Sequence, residues 1–336
     1  MTTSHLTRRR LLESLGVLAT LLVVSIGAGV ALGPVDVDWS GLLTAGDRSA
    51  TDRTIVFSTR LPRVLLGVVV GAALGCSGAA LQGLLANPLA DPHLLGVSAG
   101  AAVAGALALL LGADPVSPLV PLAAFAGALL TVATVYRTAR ADGRTTPHAI
   151  LLIGVVCNAL AASVIMLVNA VAGYAQVQGV LFWIMGSLST QRYGVVMLAA
   201  LYVAVGVAAL QRHAQALNLL AAGEEGAGSL GVDVERTRRA VFVWASLLVG
   251  AAVSVSGMIN FVGLIVPHLL RLVVGPDHRL LLPASVLGGA ILLVWADTAA
   301  RLLLAPAELP VGVVTALLGG PFFIYMLRRG LRRGLV

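Results

Sequence analysis

The chain reads as a succession of long apolar runs joined by short polar segments. The runs cover, approximately, residues 11–33, 61–85, 94–112, 118–137, 147–171, 193–211, 240–258, 259–274, 281–304 and 311–327. A bilayer-spanning helix needs ~20 predominantly apolar residues. The pattern therefore predicts ten transmembrane helices, the eighth being short and carrying Pro267. A further apolar stretch, Val180–Leu188, is too short to span and is expected at a surface. The expected fold class is all-α: a polytopic membrane protein, 1–336, forming a single transmembrane domain.

Composition turns this pattern into an exclusion. Hydrophobic residues make up 58% of the chain, charged residues 11%, and the mean hydropathy is +0.97. A soluble domain carries about 25% charge and about 45–50% apolar residues. There is no Lys, so all 22 basic residues are Arg. A phosphate-binding P-loop needs its Lys, and Schiff-base chemistry needs an amine, so both are excluded. Cys76 and Cys157 sit inside apolar runs and make neither a disulfide framework nor a zinc spacing.

The net charge of +7 is better read as topology than as a nucleic-acid surface. Arg8, Arg9 and Arg10 precede the first run. A signal peptide would start the same way, but its apolar core is only ~7–15 residues. Here the run is longer, and Gly33-Pro34-Val35-Asp36 follows in place of a small-residue cleavage site. A retained helix is expected. With the N-terminus inside and the runs alternating, 16 Arg fall inside and 6 outside, namely Arg48, Arg53, Arg60, Arg63, Arg192 and Arg301. This bias predicts both termini on the cytoplasmic side of the cell (inner) membrane.

Two stretches align at an offset of 179. Gly71-Ala72-Ala73 matches Gly250-Ala251-Ala252, Ser77-Gly78 matches Ser256-Gly257, Pro88 matches Pro267, and Gly96 matches Gly275. The copies, approximately 60–171 and 239–330, start five spans apart and so enter the membrane from opposite sides. The second to fifth and seventh to tenth helices then form an inverted repeat, a transporter architecture. Convergent Gly/Ala packing is the competing reading. Gly67, Gly71 and Gly75 form a G-x-x-x-G-x-x-x-G face, read as close helix packing, with pore lining second.

Several segments stand out chemically. Asn87-Pro88-Leu89-Ala90-Asp91-Pro92 is a tightly specified turn in which Asp91 can cap the next helix. The long inside segment 212–239 holds Ala216-Leu217-Asn218-Leu219-Leu220 and then Gly223-Glu224-Glu225-Gly226-Ala227-Gly228-Ser229-Leu230-Gly231-Val232. It reads as two short helical pieces about a Gly-rich break, either a solvated connector or a dock for a soluble partner. Arg60, Arg63 and Arg301 lie on the disfavoured side. Asp297 is placed to pair with Arg301 at i,i+4, but Arg60 and Arg63 have no local acid other than Asp52. Lipid headgroups or an acidic extracytoplasmic partner would suit them. Trp183, in Phe182–Leu188, is read as an interfacial anchor ahead of an outer-mouth residue. His93, His268 and His278 lie near inside turns without metal-ligand spacing, so structural roles are expected.

Together these stretches resemble the permease subunits of ABC importers for iron–siderophore complexes, haem and vitamin B12, the FecCD/BtuC type. The motifs are Arg60-Leu-Pro-Arg63, Asn87–Gly100, Leu219–Val232, Phe261-Val-Gly-Leu-Ile-Val-Pro-His-Leu-Leu-Arg271, Asp277–Pro283, Ala296–Arg301 and Glu308–Thr315. The resemblance implies a homodimer with the pathway on the two-fold axis, two ATPase subunits on the cytoplasmic face and an extracytoplasmic substrate-binding protein. It implies that Arg60, Arg63 and Arg301 receive Glu residues of the binding protein. It implies that Gly223, Glu224, Glu225, Gly226, Ser229, Leu230 and Gly231 meet the ATPase, and that Asn87 and Leu89 form the inner gate. The expected function is the membrane subunit of an ATP-driven importer, with iron–siderophore as the commonest cargo of the type. No catalysis, metal or cofactor is expected in this chain, since ATP and Mg would bind the partner ATPase. The expected contacts are protein and lipid, with no nucleic acid. An ion-coupled secondary transporter is the alternative, but it calls for intramembrane acids, and Asp297 is the only one well inside a span. An intramembrane enzyme would need a nucleophile–base or metal constellation, and none has convincing spacing.

Overall fold

The computed structural model describes residues 7–39, 47–114, 117–141, 144–188 and 192–332. Helix α1 (Arg8–Ala31) is followed by α2 (Asp47–Arg53), which runs through a π-helical stretch, Thr54–Arg60, into α3 (Leu61–Leu84). A 3₁₀ turn, Pro92–Leu95, leads to α4 (Val97–Leu110), α5 (Leu119–Ala139) and α6 (Pro147–Val171). Then come α7 (Tyr174–Ile184), α8 (Tyr193–Arg212), α9 (Ala214–Ala222) and α10 (Glu224–Ser229). The chain closes with α11 (Val234–Ser256), α12 (Val262–Val274), α13 (His278–Leu302) and α14 (Val311–Arg332). Two-residue strands, β1 (Arg140–Ala141) and β2 (Arg144–Thr145), pair at the α5–α6 joint.

Among the described residues eight helices are long and apolar enough to cross a membrane. The third and eighth runs form the shorter α4 and α12. At ~1.5 Å per residue these reach about 20 Å, less than a ~30 Å hydrocarbon core. Both are preceded by non-helical backbone, residues 85–91 and 257–261, and both starts are set by left-handed residues. Gly96 (φ +80°) opens α4, and Phe261 (φ +69°) opens α12. The helices therefore begin at Val97 and Val262 rather than at 94 and 259. Irregular backbone survives at membrane depth only where protein surrounds it, and here Ala90, Leu95, Ser256 and Ile259 are buried.

Helix α3 is the hub, buried along almost its whole length against α11, α12 and α13. Its small residues explain the fit. A Cβ on Gly71 would lie 2.3 Å from the Gly289 carbonyl oxygen, on Gly75 2.2 Å from that of Ser285, and on Gly78 1.9 Å from that of Gly263. The glycine face thus packs helix on helix, and it does not line an opening. Close backbone contact replaces the hydrophobic drive that lipid cannot supply.

The four-helix order long, short, long, long recurs in α3–α6 and α11–α14. The ungapped 179-residue register does not follow it throughout. Gly71–Ala73 and Gly250–Ala252 both lie inside helices, but Ser77-Gly78 continues α3 while Ser256-Gly257 closes α11. Pro88 lies in a turn and Pro267 inside α12; Gly96 opens α4 and Gly275 closes α12.

Val180–Leu188 is not a simple surface stretch. Val180 and Leu188 are fully buried, while Leu181 and Phe182 are exposed. The Trp183 ring packs on α4, where a Cβ on Gly105 would meet it at 2.7 Å. Gly105 thus leaves room for the half-buried Trp183 ring. Helices α5, α6, α8 and α14 expose Leu122, Leu130, Leu152, Leu167, Met197, Leu201 and Leu317. Such a surface suits hydrocarbon or a partner helix.

Candidate functional site

The joints sort to two ends. One end gathers the 85–96 turn, the β1–β2 joint, α9–α10 and residues 275–279. The other gathers the end of α1, Arg60, Arg63, Asp297, Arg301 and Glu308. Each end carries a polar constellation.

At the first end, α9 and α10 are the two predicted pieces, and Gly223 (φ +133°) is the break between them. Ala214, Leu217 and Leu220 bury one face of α9, and Ala227 anchors α10. Glu225, Gly226, Ser229 and Gly231 are exposed, and Leu230 is 69% exposed. The element is latched twice. The buried Arg238 of α11 donates to Glu224 of α10, to the Thr145 carbonyl and, at 3.3 Å, to Glu235. Glu235 also accepts from the Thr145 hydroxyl at 2.6 Å, tying in the α5–α6 joint. The second latch is Asn218 of α9, whose amide donates to Asp277 Oδ1 at 2.8 Å and accepts from the His278 backbone N–H at 2.8 Å. A cavity of about 240 Å³ opens beside the first latch, lined by Leu84, Ala86, Pro147, Leu220, Gly223 and Arg238 among others.

Asp277 caps α13 by accepting from the Arg279 N–H at 3.0 Å. Burial pushes its carboxyl up, but hydrogen bonds from Arg279 and Asn218 outweigh burial and hold it at about 2. An unfolded Asp titrates near ~3.9. The carboxylate therefore stabilises the fold above that value, and the contribution is lost as pH falls from about 4 through about 2. Thermal midpoints of Asp277→Asn should show a shallower decline than wild type across this range; parallel declines would contradict the assignment.

The Asn87 turn is built as an Asx turn, with Leu89 N–H donating to Asn87 Oδ1 at 2.9 Å. Asp91 caps the 3₁₀ turn through His93 N–H at 2.8 Å, as the sequence predicted. The turn is held from two sides. Asn158 of α6 donates to the His93 carbonyl at 3.2 Å, and His93 Nε2 lies 2.8 Å from the Ile259 carbonyl oxygen. Ala86 (φ +47°) and Phe261 (φ +69°) are the two positive-φ non-glycine residues among those described. Both belong to these linked segments, and such backbone costs ~1–3 kcal/mol each. Asn87 and Leu89 are half-buried, and Asn87 follows the strained Ala86.

At the other end, Asp297 is 1% exposed, and both its oxygens are occupied. Arg63 Nε donates to Oδ1 at 2.9 Å and Arg301 Nε to Oδ2 at 3.0 Å. The i,i+4 pair expected from sequence is present, and Arg63 finds its acids far along the chain, the second being Glu308 at 2.7 Å. Arg60 donates to the carbonyls of Val30, Ala31 and Val35, and Arg301 to those of Gly29 and Leu32. All three Arg are buried: Arg60 and Arg301 hold the end of α1, and Arg63 ties α3 to α13. Glu308, with a side chain 48% exposed, is the solvent-facing member.

Sequence reasoning missed Asn218, Arg238 and Glu308 as network members. Glu308 lay in a quoted motif, but nothing local marks its partner. The three histidines are engaged separately: His93 at Ile259, His278 at Asn218, and His268 edge-on to Phe322.

Known proteins share this sequence and fold. The chain matches the FecCD transport family over residues 20–329. It is 49% identical over 278 residues to the cobalamin import system permease protein BtuC of Halobacterium salinarum, covering 83% of this chain and 74% of that protein. It is 40% identical over 320 residues to the hemin transport system permease protein HmuU of Yersinia pestis, covering 94% and 95%. A solved metal-chelate type ABC transporter in an inward-facing conformation superimposes with a TM-score of 0.83 at 30% identity, over 95% of this chain and 99% of that one. With a match running through both polar ends and nearly every helix, the chain belongs to the FecCD transport family, whose members here are permease components of import systems.

Proposed function

We propose that this chain is the membrane-spanning subunit of an ATP-driven importer for a cobalamin-type ligand. It would work as a dimer with ATPase subunits on the cytoplasmic side and a binding protein outside. The observation that carries the reading is family membership over residues 20–329, together with the cobalamin permease relative at 49% identity. Haem is the second cargo, favoured by the relative covered over 94% of this chain. Of the two, the cobalamin relative is the more alike residue by residue, so cobalamin is placed ahead of both haem and iron–siderophore.

In this reading the Asn87 end faces the cytoplasm, and the Arg bias of the sequence supports that orientation. The exposed face of α9–α10, with Glu225, Gly226, Ser229 and Leu230, meets the ATPase, while Gly223, Glu224 and Gly231 set its geometry. Asn87 and Leu89 form the inner gate, hinged on the strained backbone beside them. Arg60, Arg63 and Arg301 are offered to acidic residues of the binding protein by exchange of internal partners. Glu308 is the exchangeable one, because a half-exposed carboxylate is weakly held.

The test is uptake of cobalamin, and separately of haemin, into vesicles holding the chain with and without its ATPase. ATP-dependent cobalamin uptake is expected, and uptake persisting without any ATPase would falsify the importer reading. Leu230→Arg should abolish co-purification of the ATPase while leaving the thermal midpoint of the permease unchanged. Undiminished co-purification would remove α10 from the interface.

A further inference from the structure

We infer that Asn218 is a positioning residue of the transport cycle, whose amide caps the first turn of α13 from the α9–α10 element and so carries movement of that element to α13 and to the end of α3. The inference rests on the proposal that α9–α10 meets the ATPase.

The geometry leaves the amide one orientation. The first N–H groups of a helix have no intrahelical partner. That of His278 is satisfied from another helix, by Asn218 Oδ1 at 2.8 Å. A flipped amide would set its NH₂ against this donor, so oxygen must face His278. The same oxygen lies 2.8 Å from His278 Nδ1, which therefore carries the ring proton. The NH₂ then points to Asp277 Oδ1, also at 2.8 Å. Three bonds thus join α9 to the residues that start α13.

The ring of His278 completes the connection. It is buried, and a Cβ on Gly83 would lie 2.4 Å from its Nε2. Gly83 is in the last turn of α3, four residues before Asn87. Next to it, Gln82 donates to the carbonyls of Gly263 and Leu264 in α12 and accepts from Arg271 at 2.9 Å. Moving Asn218 therefore displaces the start of α13 and presses the His278 ring on the end of α3. The end of α3 runs directly into the turn that carries Asn87 and Leu89. The Arg238–Glu224 latch holds the other half of the element to α11, so the two latches lead to different helices.

The test uses the assembled complex of permease, ATPase and binding protein in vesicles, with cobalamin as probe and haemin where cobalamin is not taken up. The readout is ligand imported per ATP hydrolysed. Asn218→Leu keeps the heavy-atom branching and removes all three bonds. Expected is persistent ATP hydrolysis with the ratio lowered about tenfold, within the range of typical coupling energies. The exchange Asn218→Asp with Asp277→Asn restores an acceptor for His278 and a bond between the two side chains, and should restore the ratio. A merely structural role would lower uptake and hydrolysis together and leave the ratio intact. An unchanged ratio in Asn218→Leu, or no recovery in the exchange, overturns the inference. Where Asn218→Leu does not fold, Asn218→Ala takes its place: it removes the same three bonds, and an unchanged ratio there is equally decisive. A wild-type complex that imports with no ATPase overturns the importer reading and this inference with it, whereas a coupled wild type with an indifferent Asn218 overturns the inference alone.

Discussion

Gly78→Ala should prevent α3 from seating against α12 and leave little detergent-stable protein. The added Cβ would lie 1.9 Å from the Gly263 carbonyl oxygen and 2.5 Å from its Cα. Both are backbone atoms, so no rotamer change relieves the clash. Overpacking where side chains can shift costs ~1–3 kcal/mol. Here α12 itself must move, and it is also held by Gln82, so the cost should exceed about 3 kcal/mol. The control is Gly16→Ala in α1, whose Cβ meets nothing within 4 Å. It should be neutral or stabilising by ~0.5–1 kcal/mol. Thermal unfolding in detergent, followed by size-exclusion recovery, separates the two. A Gly78→Ala protein with a wild-type midpoint would show that α3 and α12 are not in backbone contact.

Asp297→Ala should be the most damaging change at the other end. It leaves Arg63 and Arg301 buried without the carboxylate they share. Removing one partner of a buried ion pair costs ~3–5 kcal/mol, because the remaining charge is neither solvated nor matched. Arg301 also holds the carbonyls of Gly29 and Leu32, so the end of α1 should loosen with it. Glu308→Gln is the contrast: its side chain is 48% exposed, and the loss should stay below ~1 kcal/mol. Equal losses in the two variants would mean that the Asp297 site is as wet as the surface.

Much of this was legible in the sequence because it depends on local physics. Each of the ten apolar runs became a helix of its own, since a lipid-facing backbone must satisfy its hydrogen bonds internally. Gly223 and the segment around it read as a break between two short helices, and Asp91 as a cap, because glycine tolerance and Asx capping act within a few residues. The Asp297–Arg301 pair lay within one helical turn and was visible for the same reason. Errors arose where a neighbour from elsewhere decides. Val180 and Leu188 looked like surface, but they are core. The single-offset repeat failed where Gly257 ends one helix and Gly78 continues another.

The sequence by itself determined the solvent, the helices and the family. Hydropathy period, Arg placement and motif identity are properties of a chain read in order. Only the tertiary structure decided which groups hold one another. Arg63 meets Asp297 across 234 residues and Glu308 across 245, and Asn218 reaches His278 across 60. A buried charge or a helix's first N–H must find a partner, and apolar surroundings make that demand costly to leave unmet. Which partner meets it depends on how glycine-faced helices cross, and that crossing is not written at any one position.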